Sequence, residues 1–149
     1  MPTRLLLAAI LLAAPAAAQP VASSGMVKQP IFVPFRGIEW RLVRIGDQAV
    51  ASPQRPITLL LSDDNRATGS TGCNSYQAAF RVLAGRISFP APPIATQIGC
   101  EPEAAAAERA YLTRLALGGR AEVRNLRTLR IRASGQPDLL YEKAETTAR

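Results

Sequence analysis

The sequence predicts a mainly β (α+β) fold, in which an antiparallel sheet is interrupted by one α-helix. Three observations lead to this class. Short runs of alternating apolar and polar residues recur between turn-forming residues from about residue 38 onward. Only residues 104–117 combine helical spacing with high helix propensity. The pair Gly118-Gly119 ends that segment, and alternation resumes after it.

The strands are predicted from this alternation and from the turns between them. In the run 128–133, Leu129 and Ile131 point to one side, and Arg130 and Arg132 point to the other. The turn formers at 62–65 connect two neighbouring runs as a hairpin. The expected strands are residues 39–45, 57–61, 66–70, 76–82, 86–89, 128–133 and 138–142.

The helix is predicted from its first turn as well as from its spacing. Pro102 stands near the first helical position, and Glu101 and Glu103 stand beside the positive end of the helix dipole. The face expected to lie on the sheet has members three or four residues apart: Ala104, Ala107, Tyr111 and Leu115. The expected core is Trp40, Leu59, Leu61, Phe80, Leu129 and Ile131 together with Tyr111 and Leu115.

The N-terminus has the pattern of a secretory signal peptide at residues 1–18. Arg4 is followed by an apolar run at 5–14, by Pro15 and by three alanines, so cleavage is expected before Gln19. The run is about half as long as a membrane span requires. No cysteine follows it to accept a lipid. We therefore expect a periplasmic or secreted protein exported by the general secretory route.

The rest of the chain divides into three parts. Residues 19–37 are expected to form a flexible leader, whose segment 31–35 could pack on the domain or add an edge strand. Residues 38–143 are expected to form the folded domain. Residues 144–149 are expected to form a short polar tail.

Composition excludes several kinds of chemistry. The 149 residues are 48% hydrophobic and 19% charged, a globular balance, and they include no histidine. A Ser-His-Asp triad, a Cys-His pair and a His-containing metal site are therefore impossible. Two cysteines, Cys73 and Cys100, are too few for a four-cysteine zinc site within one chain. An exported chain with an even cysteine count favours a structural disulfide between them, with two buried free thiols as the alternative.

The net charge of +7 invites a nucleic-acid or membrane partner. The arginines, however, are scattered along the sequence, and few aromatic residues accompany them as stacking platforms. We expect no nucleic-acid partner and at most peripheral association with an anionic membrane surface.

Several elements agree in order and spacing with one known pattern. They are Trp40, the run Gly72-Cys73-Asn74 with Tyr76, Thr96 four residues before Cys100, and Glu108. With them, residues 38–143 resemble the META domain family, which includes the HslJ-like heat-shock-associated proteins of bacterial envelopes. Ile98 stands where family members often have methionine. The resemblance implies a compact, barrel-like antiparallel sheet with one helix, and a late strand pair at 126–132 and 139–142.

Each motif residue has a structural interpretation beside a ligand-binding one. Gly69 and Gly72 mark a bend or a close approach of two backbones. Asn74 can hydrogen-bond its own loop or adopt a left-handed conformation. Thr96 can satisfy backbone groups before the helix. The scaffold interpretation is favoured at each position. The run Asp63-Asp64-Asn65 is predicted to form a turn, since it lacks the further oxygen ligands of a calcium loop.

Three functional hypotheses follow. The leading one is an exported, non-enzymatic META-domain protein with an accessory or interaction role in the envelope, linked to stress. The second is a barrel-type carrier of a small apolar ligand or lipid, which requires an internal cavity. The third is an enzyme with Glu108 and either Asp63 or Asp64 as acid and base, although nothing in the sequence brings these groups together. We assign no catalytic, cofactor-binding or metal-ligating residue and expect no cofactor.

Overall fold

Alternating side chains build one antiparallel sheet in the part of the chain that the computed structural model describes, residues 34–50 and 55–145. Its strands, in chain order, are β1 (Glu39–Ile45), β2 (Gln48–Ala49), β3 (Thr58–Leu61), β4 (Arg66–Ser70), β5 (Ser75–Ala79), β6 (Arg81–Leu83), β7 (Arg86–Ser88), β8 (Ile94–Ala95), β9 (Gly119–Arg124), β10 (Thr128–Arg132) and β11 (Leu139–Lys143). Helix α1 (Pro102–Ala116) lies between β8 and β9 in the chain. The predicted signal peptide, residues 19–33 of the leader and residues 146–149 of the tail lie outside the described residues.

The sheet confirms the predicted fold class. Its strand order is β6-β7-β9-β10-β11-β1-β3-β4-β5-β8, and β2 pairs with β1. Every strand pairing is antiparallel. The sheet curls into a half-barrel, as the right-handed twist of its strands favours. The described part of the chain is therefore mainly β, with one helix against a curled sheet.

The predicted core is confirmed residue by residue. All eight expected side chains are at most 1% exposed, and other buried residues join them, including Leu139 and Tyr141. Phe35, from the predicted leader, is also buried, at 3% exposed. The indole N–H of Trp40 donates to the carbonyl oxygen of Phe35 at 2.9 Å, so this part of the leader packs on the domain. Residues 34–37 form a turn rather than a strand.

The predicted strand 76–82 is corrected, because it is two strands that separate at Phe80. β5 pairs with β4 and β8, whereas β6 pairs with β7 at the opposite end of the strand order. The Phe80 amide donates to the carbonyl of Asn65 at 2.9 Å, and its ring is buried under the Arg36 guanidinium. The alternation of buried side chains continues across the break, which is why the sequence reads as a single strand.

Two further details differ from expectation. Ala107 is exposed, not packed on the sheet, although Tyr111 and Leu115 of the same predicted face are buried. A methyl group is too short to fill the space beneath the first half of α1. Leu126 lies in the turn before β10, at φ +54° and 59% exposed, so the expected late strand begins at Thr128 instead.

Candidate functional site

Four of the motif residues meet beside the first half of α1. Together with Thr71, which is not one of the motif residues, they form what we call the Asn74 cluster: Thr71, Asn74, Thr96, Cys100 and Glu108. They come from the turn between β4 and β5, from the segment between β8 and α1, and from the helix itself. Residues scattered over almost 40 positions of the sequence thus converge on one buried amide.

The turn that carries Asn74 is shaped by the residues just before it. A side chain at Gly69 would overlap the Thr58 carbonyl and approach the Tyr76 ring at 2.9 Å, so only glycine allows this close crossing. Gly72 adopts φ +92°, and its amide donates to the Ser70 hydroxyl at 3.0 Å. The expected close approach and bend are both present.

Asn74 is 3% exposed, and its side chain joins all three segments. Its Oδ1 accepts the amide of Ile98 at 2.9 Å and the hydroxyl of Thr96 at 2.8 Å. Its Nδ2 donates to Glu108 Oε1 at 3.2 Å. Asn74 is not among the described residues with positive φ, and its side chain hydrogen-bonds the two neighbouring segments rather than its own loop as expected.

Glu108 is held by neutral donors. Its Oε2 accepts a short hydrogen bond from the Thr71 hydroxyl. The same hydroxyl accepts a hydrogen bond from the backbone N–H of Asn74 at 2.9 Å. Within the described ranges, Glu108 forms no ion pair with a basic side chain. Hydrogen bonds to an ionised oxygen are stronger than neutral ones, so this carboxylate can fasten α1 to the turn without a counter-charge.

Cys73 and Cys100 lie at disulfide distance, with Cα atoms 6.1 Å apart across 27 positions of sequence. Cys73 belongs to the turn, and Cys100 is two residues before α1 begins. Thr96 adds a further connection, since its hydroxyl accepts the backbone amide of Ser75 at 3.2 Å, at the start of β5 and not before the helix as expected. Covalent and polar contacts therefore link the same three segments.

Tyr76 leads from the cluster into the core. Its hydroxyl donates to the Thr58 carbonyl at 2.9 Å and lies 2.8 Å from the Tyr111 hydroxyl. The Tyr76 hydroxyl has one proton and donates it to Thr58, so Tyr111 is the donor to Tyr76. The Tyr141 hydroxyl in turn donates to the Tyr111 hydroxyl at 3.3 Å. Burial is the main cause that raises the pKa of all three tyrosines. They form one chain of neutral hydroxyls.

The acid–base pair considered from the sequence is not brought together. Asp63 and Asp64 lie in the turn before β4, whereas Glu108 contacts the turn after it. The five residues of β4 separate the two ends by about 16 Å. Asp64 instead accepts the Arg66 amide at 3.2 Å, within the turn predicted for this run. The described residues contain no group of three or more acidic or cysteine side chains placed to hold a metal.

Arg114 is a buried charged residue that sequence reasoning missed. It is 5% exposed, and its guanidinium donates to the carbonyls of Gly118 at 3.0 Å and Ile131 at 3.1 Å and closely to that of Pro137. Burial lowers the pKa of Arg114. Arg114 lies three residues after Tyr111 and one before Leu115, so it falls on the apolar face of the helix. This position is the sequence signal that could have identified it.

The interior of the half-barrel is filled with side chains. Trp40, Tyr111 and Tyr141 are fully buried there. An apolar cleft of about 220 Å³ lies instead at the surface, lined by Ala104, Ala107 and Ala110 of α1 and by residues around β2. The carrier hypothesis requires an internal cavity, and the described interior offers it no support. Among the described residues, no helix has the length and apolarity needed to cross a membrane.

Comparisons with known proteins agree with this architecture. A family model described as META domain matches residues 33–146. One similar NMR structure has 16% identity and a TM-score of 0.62, and the match covers 79% of this chain and 100% of that one. Another, of a protein from Burkholderia xenovorans, has 22% identity and a TM-score of 0.61, with 91% and 100% covered. At such identities these two structures show a shared fold. No curated protein matches the chain.

Proposed function

This chain belongs to the META domain family, and from that premise we propose that it is an exported, non-enzymatic protein with an accessory or interaction role in the bacterial envelope. One observation carries the proposal: the polar groups of the family motif are engaged with each other. Asn74 uses both ends of its amide inside the cluster, and each Glu108 oxygen accepts a hydrogen bond. A carboxylate fastened in this way serves as a helix anchor.

Two features support the envelope as the location. The pattern of residues 1–18 is typical of a secretory signal. The disulfide-distance pair Cys73–Cys100 suits an oxidising compartment, where such bonds form and persist. The link to stress rests on the family resemblance.

The location is tested by intact mass. Full-length chain is expressed, the envelope fraction is collected, and we expect a protein that begins at Gln19, carries no acyl group and has no free thiol after denaturation. Leu6→Arg with Leu11→Arg breaks the apolar run and is the matched control, which should stay inside the cell with residues 1–18 attached. A wild-type chain that also stays inside with its N-terminus intact would overturn export.

The non-enzymatic role is tested by complementation in the cells of origin under envelope stress. Glu108→Gln keeps the size of the side chain and removes its charge, so a scaffold residue should still permit rescue wherever the variant folds. A variant that folds with wild-type thermal stability yet fails to rescue would show that the carboxylate performs chemistry. A lipid-sized mass retained in native mass spectrometry would favour the carrier hypothesis instead.

A further inference from the structure

Three arginines from three strands lie side by side at one edge of the sheet, and a fourth lies beside the end of their row. We call them, with one leucine, the arginine patch: Arg81 and Leu83 of β6, Arg86 of β7, Arg120 of β9 and Arg132 of β10. Strand pairing places Leu83 opposite Arg86, Arg86 opposite Arg120, and Arg120 opposite Arg132. Directly opposed residues share a face of the sheet, so one row of side chains crosses four strands.

This row lies on the outer face. All four arginines are exposed, whereas Ile87 and Ile131, which alternate with members of the row, are fully buried. Adjacent strands are about 4.8 Å apart, which brings the guanidinium groups of neighbouring strands within reach of a single anion. No local pattern predicts this cluster, because the register of distant strands creates it.

The patch carries more positive charge than its surroundings balance. Arg132 pairs closely with Glu122, and this is the only ion pair that the described residues provide to the four arginines. Farther along the same face the charges are matched, as between Arg130 and Asp138 at 2.7 Å. Like charges directly opposite each other destabilise a sheet, and a bound anion relieves that repulsion.

Leu83 adds an apolar group to this charged row. It is 81% exposed, more than any other large hydrophobic side chain among the described residues. It stands just before the two-residue turn Ala84-Gly85, whose φ angles of +49° and +74° suit the tight turn of a β-hairpin. A protruding leucine beside clustered guanidinium groups is the combination found on surfaces that bind at the boundary of headgroups and acyl chains.

We propose that the arginine patch docks on an anionic phospholipid bilayer, with its guanidinium groups on lipid phosphates and Leu83 among the upper acyl chains. The proposal rests on the envelope role above and names its partner. Guanidinium binds phosphate through two parallel hydrogen bonds, which an ordered row of arginines can repeat across several headgroups. The patch contains no aromatic side chain on which nucleic-acid bases could stack.

The test is sedimentation with vesicles of phosphatidylglycerol and phosphatidylcholine, compared with phosphatidylcholine alone. The protein is purified as cells deliver it, and its N-terminus is read from intact mass, so any contribution of residues 1–33 is common to all variants. We expect binding to the anionic vesicles that weakens as salt is raised. Arg86→Gln with Arg120→Gln should reduce partitioning by about tenfold or more, given the gain per basic residue near an anionic surface.

Matched variants isolate the patch from net charge. Arg109→Gln with Arg127→Gln removes the same charge from exposed positions on α1 and before β10, and should change partitioning by less than about twofold. Leu83→Ser should weaken binding roughly tenfold, whereas Ile94→Ser, at a 72% exposed residue on the other sheet edge, should not. Thermal unfolding checks that each variant folds. Equal loss in the patch and control pairs, or no binding to anionic vesicles, overturns the proposal whether or not the chain is exported.

Discussion

The two halves of α1 are held to the sheet by different forces. The second half is packed, since Tyr111 and Leu115 are fully buried and Arg114 caps nearby carbonyls. The first half presents Ala104 and Ala107 to an open cleft, and Glu108 connects it to the Asn74 cluster. Where alanines leave a gap that packing cannot close, hydrogen bonds and a cysteine pair fix the helix instead.

The largest effect is expected in the packed half. Leu115→Ala should lower the free energy of unfolding by about 4 kcal/mol, because it leaves a cavity in a filled core. Leu117→Ala, at a half-exposed leucine just after the helix, should cost less than about 1 kcal/mol. Urea unfolding followed by the fluorescence of Trp40, the only tryptophan, measures both. Similar costs at the two positions would show that this end of α1 is not packed as described.

The cysteine pair tests the anchored half. Replacing Cys73 and Cys100 together with serine should cost about 3 kcal/mol, since a bridge across 27 positions restricts the unfolded chain. Loss of protection from hydrogen exchange should concentrate in the first two turns of α1, with the Tyr111 end less affected. Uniform loss along the whole helix would mean that its two ends are not held independently.

The same contrast explains what the sequence could and could not predict. The packed half follows local rules, so Tyr111, Leu115 and every other expected core residue were found from period and apolarity. Ala107 was wrongly predicted to lie on the sheet, because an alanine fits the helical spacing of apolar residues whether or not anything packs against it. The run 76–82 was predicted as one strand because an alternating pattern does not report a change of partner strand.

The sequence predicted which residues belong to the site, but it did not predict the hydrogen bonds between them. The family resemblance singled out Asn74, Thr96, Cys100 and Glu108, which the structure brings together, but the pairing of Asn74 with the Ile98 amide depends on loop geometry. The burial of Arg114 was hard to predict, since a basic residue usually indicates a solvent-exposed face. The arginine patch depends wholly on strand register, which no local pattern encodes.

Removing the central amide of the cluster should have a smaller effect than removing the cysteine pair. Asn74→Ala should cost about 2 kcal/mol, because the Ile98 amide and the Glu108 carboxylate lose a partner in a half-buried place. Gln97→Ala, an exposed amide in the same segment, should cost under about 0.5 kcal/mol. The comparison is made by chemical denaturation at neutral pH. A cost at Asn74 as small as at Gln97 would mean that the polar network does not hold the first half of α1.

The smallest expected effect concerns pH and belongs to the packed half. All three tyrosines of the chain, Tyr76, Tyr111 and Tyr141, are buried, and burial raises their pKa above that of the unfolded chain. A group whose folded pKa is raised contributes stability that is complete below its unfolded pKa, near 10, and is lost as pH rises above it. Each tyrosine should then remove up to about 1.4 kcal/mol of unfolding free energy per pH unit.

The composition allows this loss of stability at alkaline pH to be attributed to the tyrosines, and one variant measures the share of Tyr141. The chain has only two lysines and no histidine, and both cysteines are paired, so the tyrosines dominate above pH 10. Tyr141→Phe removes the last donor of the hydroxyl chain and leaves the Tyr111 and Tyr76 bonds intact. We expect it to cost under about 1 kcal/mol at pH 8 and to reduce the alkaline slope by about a third. The measurement is urea unfolding from pH 8 to pH 11. An unchanged slope would mean that Tyr141 ionises in the folded protein, and that the core around the second half of α1 admits water.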